Sequence, residues 1–193
     1  MCYYIDVNSV NLQDLERFMD NNILDKGVKE RLILSGLHEL LHHGTTDFSL
    51  RRVAVGAEVS CAAPYRHFKD KDELIRAIIA YIREDYNLLA DNIKAIFGKG
   101  TREYVVELSV ATVRFWIAGG NFPSFLQTGE LSSFNAPMLE ALELYLGDRA
   151  DISNIKHTVM TLIYGSVTEI MSGDISADEA VLILRNSVSG VIG

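Results

Sequence analysis

The chain has 193 residues, of which 48% are apolar and 23% charged, and its net charge at neutral pH is −8. This length suits one large domain or two small ones, and no apolar run or N-terminal leader pattern predicts a membrane span or a signal peptide. The two cysteines, Cys2 and Cys61, do not indicate a disulfide framework, so we expect a cytoplasmic protein.

The charge is distributed unevenly along the chain. Residues 26–76 carry nine Lys and Arg against seven Asp and Glu, whereas residues 1–25 and 77–193 are both acidic. Four of the five histidines also lie in the basic segment. A basic segment within an acidic protein favours an anionic partner for that segment alone.

Helical periodicity dominates, and alternating strand patterns bounded by turns are absent, so the sequence predicts an all-α fold. A short amphipathic helix is predicted over residues 11–22. A longer helix is predicted over residues 28–43, and Gly44 ends it. The apolar stripe of this longer helix, which we expect to face the protein core, consists of Ile33, Leu37, Leu40 and Leu41.

Three residues stand where helix N-caps are expected, namely Ser49, Ser60 and Asp70. Each precedes a helical pattern, and the third pattern continues for many turns before two glycines interrupt it. The last two helices carry apolar residues beyond one stripe, which indicates burial on two sides. From Ser49 onwards the predicted helices cover residues 50–57, 61–67, 71–97, 101–118, 137–146, 152–172 and 177–190.

A long ordered motif lies between Arg31 and Ala77. Because of this motif the segment, which is about a quarter of the chain, resembles the DNA-binding domain of the tetracycline-repressor (TetR) family. Glu58 departs from the family pattern, because it occupies a turn position that is usually glycine, and a non-glycine residue at positive φ costs about 1 kcal/mol. The matching residues are Ser49, Val53-Ala54, Ala57, Val59-Ser60, Tyr65-Arg66-His67-Phe68 and Lys71-Asp72-Glu73-Leu74.

The resemblance implies an N-terminal three-helix DNA-binding head with a helix-turn-helix over residues 26–75. A helical effector-binding and dimerisation domain would follow over residues 76–193, and residues 1–25 would form an N-terminal extension. Such a bacterial regulator, in the simplest case a repressor, would bind a near-palindromic double-stranded DNA operator as a homodimer through its last two helices. A small apolar or amphipathic effector would release it. We expect no cofactor, no metal and no membrane partner.

The resemblance also implies roles in DNA binding for individual residues. Phosphate contacts are expected from hydroxyl, imidazole and ammonium groups near helix N-termini, and such contacts position a protein without reading sequence. Small residues early in the second helix of the motif could approach thymine methyl groups, and Arg66 could reach guanine or a phosphate. The expected DNA-contacting residues are Ser49, Arg51, Arg52, Ser60, Cys61, Ala62, Ala63, Tyr65, Arg66, His67 and Lys71.

Aromatic residues between positions 97 and 164 are the candidates for an effector pocket. Trp116 and Tyr164 are the first choices, because each has a polar tip that a ligand could satisfy. Aromatic residues at helical spacing also build ordinary cores, so each could serve packing instead. The remaining candidates are Phe115, Phe122, Phe125 and Tyr145.

Residues 38–42 read HELLH and fit the H-E-x-x-H motif of zinc peptidases. On a helical projection His38, Glu39 and His42 fall on the polar side, away from the apolar stripe, and no pattern supplies a third ligand. We therefore interpret this stretch as scaffold. A zinc hydrolase remains a minor alternative, and a TetR-like interaction protein that does not bind DNA is the other.

Overall fold

The computed structural model describes residues 27–118 and 130–193. These two ranges contain eight α-helices and one 3-10 turn, and no β-strand occurs within them, so the all-α prediction is confirmed. No helix in the same ranges is both long and apolar enough to cross a membrane. The helix predicted over residues 11–22 and the pocket candidates Phe122 and Phe125 lie outside the described residues.

The N-terminal helices form a small bundle. Helices α1 (Val28–His43), α2 (Leu50–Gly56) and α3 (Ala63–His67) pack against one another, and α1 also packs along the start of α4 (Lys71–Phe97). Two of the three predicted N-caps are confirmed, because the side chains of Ser49 and Asp70 accept hydrogen bonds from the first turns of α2 and α4. The buried apolar residues of this bundle include Leu32, Leu40, Phe48, Val53, Ala57, Phe68, Leu74 and Ile78.

The C-terminal helices surround α5 (Arg102–Ala118), which is buried on nearly all sides. It contacts α4, α6 (Ala136–Leu146), α7 (Ile152–Ser172) and α8 (Ala177–Ile192), while the 3-10 turn (Leu131–Phe134) packs on α4 and α6. Polar groups reinforce the α5–α8 contact, because Arg185 on α8 forms a bidentate ion pair with Glu107 on α5. On α8 this packing buries a single stripe, and Leu182 and Ile183, apolar residues outside that stripe, are exposed.

Two close approaches fix the N-terminal bundle. A β-carbon on Gly36 would lie 2.8 Å from Ile78 Cδ1, so the absence of a side chain lets α1 and α4 pack tightly. A β-carbon on Gly56 would lie 2.5 Å from Ser35 Oγ, and that hydroxyl donates to the carbonyl of Val53 at 2.9 Å. Small residues therefore set the spacing of α1 from both α2 and α4.

The predicted rotation of α1 is wrong by about one residue. Within the predicted stripe Leu40 is fully buried as expected, but Ile33, Leu37 and Leu41 are only partly buried. Leu32 and Leu34, which lie outside the stripe, are buried. Glu39, which the projection placed on the polar side, is 5% exposed. The helical projection rested on the apolar stripe alone, so it could not predict a buried carboxylate.

The predicted cap at Ser60 is also wrong. The last short helix begins only at Ala63, its N-cap position is Ala62, and no side chain caps it. Pro64 occupies the first turn, where its missing N–H leaves no helical hydrogen bond unmade. Ser60 contributes its backbone carbonyl instead, which accepts a hydrogen bond from the Ala63 N–H at 2.8 Å.

The turn between α2 and α3 is a Schellman motif. The Glu58 N–H donates to the Val55 carbonyl and the Val59 N–H donates to the Ala54 carbonyl, both at 3.0 Å. Glu58 has φ of 53°, and it is the single non-glycine residue with positive φ among those that the structure describes. The glutamate therefore accepts the left-handed conformation that glycine usually supplies at this position.

Replacing Glu58 by glycine should stabilise the protein. We expect Glu58→Gly to raise the free energy of unfolding by about 1 kcal/mol, because the left-handed conformation carries no β-carbon strain in glycine. Urea unfolding would measure the change. Glu58→Ala is the matched control, because it keeps the β-carbon and should stay within about 0.5 kcal/mol of wild type. A Glu58→Gly protein no more stable than Glu58→Ala would contradict the prediction.

Candidate DNA-binding surface and effector site

The short helix α3 presents a polar and partly basic outer face. Tyr65, Arg66 and His67 are exposed, and the Tyr65 side chain is 66% exposed although tyrosine is largely apolar. Tyr65 and Arg66 make no hydrogen bond or ion pair with any described residue. These side chains are therefore available to an external partner.

The residues just before α3 lie on the same exposed stretch. Ser60, Cys61 and Ala62 are all exposed, and their small side chains leave the backbone accessible. Ala63 differs, because it is only 9% exposed and belongs to the interior of the bundle. We therefore leave Ala63 out of the surface considered below.

The N-terminus of α2 holds a dense polar network. Arg52 Nε donates to both carboxylate oxygens of Glu39, at 2.8 and 3.0 Å, and its Nη2 donates to the Asp47 carbonyl. The same Glu39 carboxylate accepts the Ser49 N–H at 2.9 Å, and His43 lies 3.8 Å from it. The hydrogen bond to Glu39 raises the pKa of Arg52, so this guanidinium keeps its charge.

The other arginine of α2 has different surroundings. Arg51 is exposed, and its side chain has no hydrogen bond or ion pair with the residues described. The two neighbouring side chains therefore differ, since that of Arg52 is hydrogen-bonded within the protein and that of Arg51 is not.

Lys71 lies in the first turn of α4, where it links two elements. Its ammonium group donates to the carbonyl of Thr45 at 3.1 Å, which ties the loop after α1 to the start of α4. Asp70 caps the helix by accepting the Glu73 N–H at 2.8 Å. The partly buried lysine is positively charged beside a helix N-terminus, an arrangement that favours an anion there.

A buried aromatic cluster joins α4, α5 and the 3-10 turn. The ring centroids of Tyr86 and Phe115 are 5.1 Å apart, and those of Trp116 and Phe134 are 5.0 Å apart. Phe115 and Trp116 meet edge to face at 5.6 Å. Phe115 and Trp116 were named as pocket candidates from the sequence, whereas their ring partners Tyr86 and Phe134 were not.

Hydroxyl groups lie beside these rings. The Tyr86 and Thr112 hydroxyls share a buried hydrogen bond at 2.8 Å, and Thr112 also donates to the Leu108 carbonyl at 2.7 Å. Burial raises the pKa of Tyr86, so its hydroxyl stays protonated. Tyr164 donates to the Asn135 side-chain oxygen, and burial raises the pKa of Tyr164 to about 12. The cluster therefore combines apolar walls with neutral hydrogen-bonding groups.

Tyr145 lies apart from the aromatic cluster. Its hydroxyl donates to the carbonyl of Gly193 at 3.1 Å, and the neighbouring Arg149 donates to the carbonyl of Ile192 at 2.9 Å. Tyr145 thus fastens the end of α8 to α6 rather than lining the cluster.

An open groove of about 510 Å³ runs along α7. One wall is Leu131 of the 3-10 turn, and Tyr164 links this groove to the cluster through Asn135. The groove is mostly apolar and uncharged. Its α7 residues are His157, Met160, Thr161, Tyr164, Gly165 and Thr168.

The histidines of HELLH lie on the outside of α1. The rings of His38 and His42 have centroids 4.2 Å apart, and both residues are exposed. Glu39, which would activate water in a zinc peptidase, instead faces inward to Arg52. In the described ranges no group of three potential metal ligands forms.

A family model matches the N-terminal part of the chain. Residues 33–78 match bacterial regulatory proteins of the tetR family, and these residues contain α2, α3, most of α1 and the start of α4. No curated protein matches the chain. The matched segment coincides with the one that the motif indicated.

Solved structures with a similar fold cover most of the chain. A crystal structure described as a TetR-family transcriptional regulator from Rhodococcus sp. is 16% identical, with a TM-score of 0.63 over 86% of this chain and 98% of that chain. A protein of unknown function from Rhodococcus sp. RHA1 is 19% identical, with a TM-score of 0.68 and coverage of 86% and 95%. The multidrug binding protein EbrR, complexed with imidazole, is also 19% identical, with a TM-score of 0.61 and coverage of 87% and 96%. At these identities the likeness establishes the fold.

Proposed function

We propose that this chain, a member of the tetR family of bacterial regulatory proteins, represses transcription from a near-palindromic operator and is released by a small effector. The observation that carries the proposal is the exposed, polar face of α3, which follows α2 through a fixed turn within the family's DNA-binding segment. The proposal divides the chain into a DNA-binding head over residues 26–75 and an effector and dimerisation part over residues 76–193. That boundary falls inside α4.

The contacts proposed with DNA follow the exposure of the side chains. Tyr65, His67 and Lys71 would contact phosphates together with the N-terminus of α2, and these contacts would set the position of the head. Arg66 has a free guanidinium that could fork onto guanine in the major groove. The small residues Cys61 and Ala62 would lie near the groove floor.

The proposed homodimer forms through α7 and α8. Leu182 and Ile183 on α8 are 60% and 50% exposed, which is unusual for large apolar side chains on a helix that packs well elsewhere. The exposed positions of α7 are uncharged between Thr158 and Thr168. A two-fold dimer would place two copies of α3 about 34 Å apart, one turn of DNA.

The proposed effector site is the aromatic cluster with its hydroxyl groups. An apolar or amphipathic ligand would contact Trp116, Phe115 and Phe134, and its polar group would meet Thr112 or Tyr164. EbrR, which shares the fold, is a multidrug binding protein. Tyr86 belongs to α4, so a ligand that displaces its ring would also act on the helix that enters the head. The effector can shift the equilibrium between the DNA-bound and the released arrangement only to the extent that its affinities for the two arrangements differ.

DNA binding can be tested by selection from random duplexes. We expect a near-palindrome to be recovered, with affinity that falls steeply as salt rises because bound phosphates release counterions. Arg66→Gln should weaken binding to the selected site at least tenfold, since a bidentate base contact contributes about 1–3 kcal/mol. Lys99→Gln is the matched control, because Lys99 is also exposed but lies beyond the end of α4. No enrichment at low salt would favour the alternative of an interaction protein without DNA binding.

The dimer interface can be tested with two leucines of equal exposure. Leu182→Glu on α8 should convert the dimer to a monomer, because two like charges would be buried facing each other across the two-fold axis. Light scattering would report the mass. Leu88→Glu on α4 is the control, since Leu88 is 62% and Leu182 is 60% exposed. A monomeric Leu88→Glu protein, or a dimeric Leu182→Glu protein, would place the interface elsewhere.

The effector site can be tested through the single tryptophan of the chain, Trp116, which is 2% exposed. Amphipathic aromatic compounds would be screened by thermal unfolding, where a ligand raises the midpoint by mass action. A compound that binds should change Trp116 fluorescence, and Phe134→Leu should weaken its binding about fivefold, since aromatic contacts contribute about 1 kcal/mol beyond buried area. Tyr145→Phe should leave affinity unchanged. Equal binding by Phe134→Leu and wild type would exclude the cluster.

A further inference from the structure

Two adjacent arginines at the start of α2 differ in a way that the sequence does not reveal. Both are exposed, and both are among the residues expected from the sequence to contact DNA. The Arg51 side chain has no hydrogen bond or ion pair with any described residue. Arg52 is bound to Glu39 and to both the carbonyl and the carboxylate of Asp47.

Glu39 is the firmest of these partners. It is 5% exposed, and a carboxylate removed from water needs a positive partner and hydrogen bonds to each oxygen. Arg52 Nε lies 2.8 Å from Oε1 and 3.0 Å from Oε2, and Arg52 Nη2 lies 2.6 Å from Oε1. If the guanidinium left for a DNA phosphate, Glu39 would be left buried without its arginine, which is unfavourable.

The same carboxylate also fixes where α2 begins. Glu39 belongs to the last turns of α1, and its Oε1 accepts the backbone N–H of Ser49, the N-cap of α2. Arg52 completes the link by reaching back to Asp47 in the connecting loop. Because α3 follows α2 through the hydrogen-bonded turn at Glu58, the angle at which α1 meets α2 also sets the angle of α3.

We propose that Glu39 is a positioning residue for DNA recognition, which holds Arg52 as a clamp between α1 and α2 and leaves Arg51 as the phosphate contact of the pair. The inference rests on the proposed DNA binding, and it assigns Arg52 a role other than the DNA contact expected from the sequence. In this proposal the buried Glu39 carboxylate of HELLH has a positioning role that involves no metal.

Three variants separate the roles of the two arginines, namely Arg51→Met, Arg52→Met and the double variant Glu39→Leu with Arg52→Met. Each would be measured by thermal unfolding, by the salt dependence of binding to a random-sequence duplex, and by the ratio of affinities for the selected operator and that duplex. Binding would be measured at a temperature where every variant used is folded. The double variant removes both charges, so it keeps the test possible if Arg52→Met alone fails to fold.

Arg51→Met should keep the unfolding midpoint and lose about 0.9 of the logarithmic salt slope per protomer, as one phosphate contact requires. Arg52→Met should lower the unfolding midpoint but keep the salt slope. The double variant should recover the midpoint and keep the salt slope, while its operator preference stays about tenfold below wild type because α2 is no longer held at one angle.

Two results would overturn the proposal. If the double variant loses salt slope as Arg51→Met does, Arg52 is itself a phosphate contact. If it recovers operator preference together with stability, the Glu39–Arg52 pair is structural only. Failure of DNA binding as such would be distinguishable, because wild-type protein would then show no salt-dependent binding to either duplex, while the unfolding midpoints would still report the ion pair.

Discussion

The packing of α4 into two cores is the constraint on which the rest of the structure depends. At its N-terminal end Ile78 lies against Gly36 of α1, where a β-carbon would approach Ile78 Cδ1 to 2.8 Å. Two turns later Tyr86 is fully buried, and its hydroxyl shares a hydrogen bond with Thr112 of α5. One continuous helix therefore belongs to the N-terminal bundle and to the aromatic cluster at once. Neither part can change its packing without moving the other, since closely packed interfaces rearrange rather than stretch.

Much of the fold could be predicted from the sequence, because caps and glycines act locally. Ser49 and Asp70 cap their helices as expected, and Gly98 ends α4 with φ of 87°. The failures lie where tertiary contacts override local signals. The rotation of α1 was misjudged because burial of Glu39 depends on Arg52, thirteen residues away and on another helix. Ser60 looked like a cap, but the helix starts later at Ala63.

The candidate sites were predictable to different degrees for the same reason. The residues proposed to contact DNA are close together in sequence, so one ordered motif was enough to predict them as a group. The aromatic cluster is assembled from α4, α5 and the 3-10 turn, and nothing local relates Tyr86 to Phe134. Trp116 could be named from its own chemistry, whereas its neighbours could be found only from the packing. Tyr145 shows that residue type alone does not predict a pocket residue, because its hydroxyl donates to the backbone carbonyl of Gly193.

The strained turn at Glu58 has a consequence at the level of the gene. Codons for glutamate and glycine differ at a single base, so a conformation without strain is one mutational step away from the present one. The head is therefore not at the maximum stability that its backbone permits, as is usual for natural proteins. That reserve gives the exposed residues of α3 room to vary, because a destabilising change on this face could be offset by a glycine at the turn.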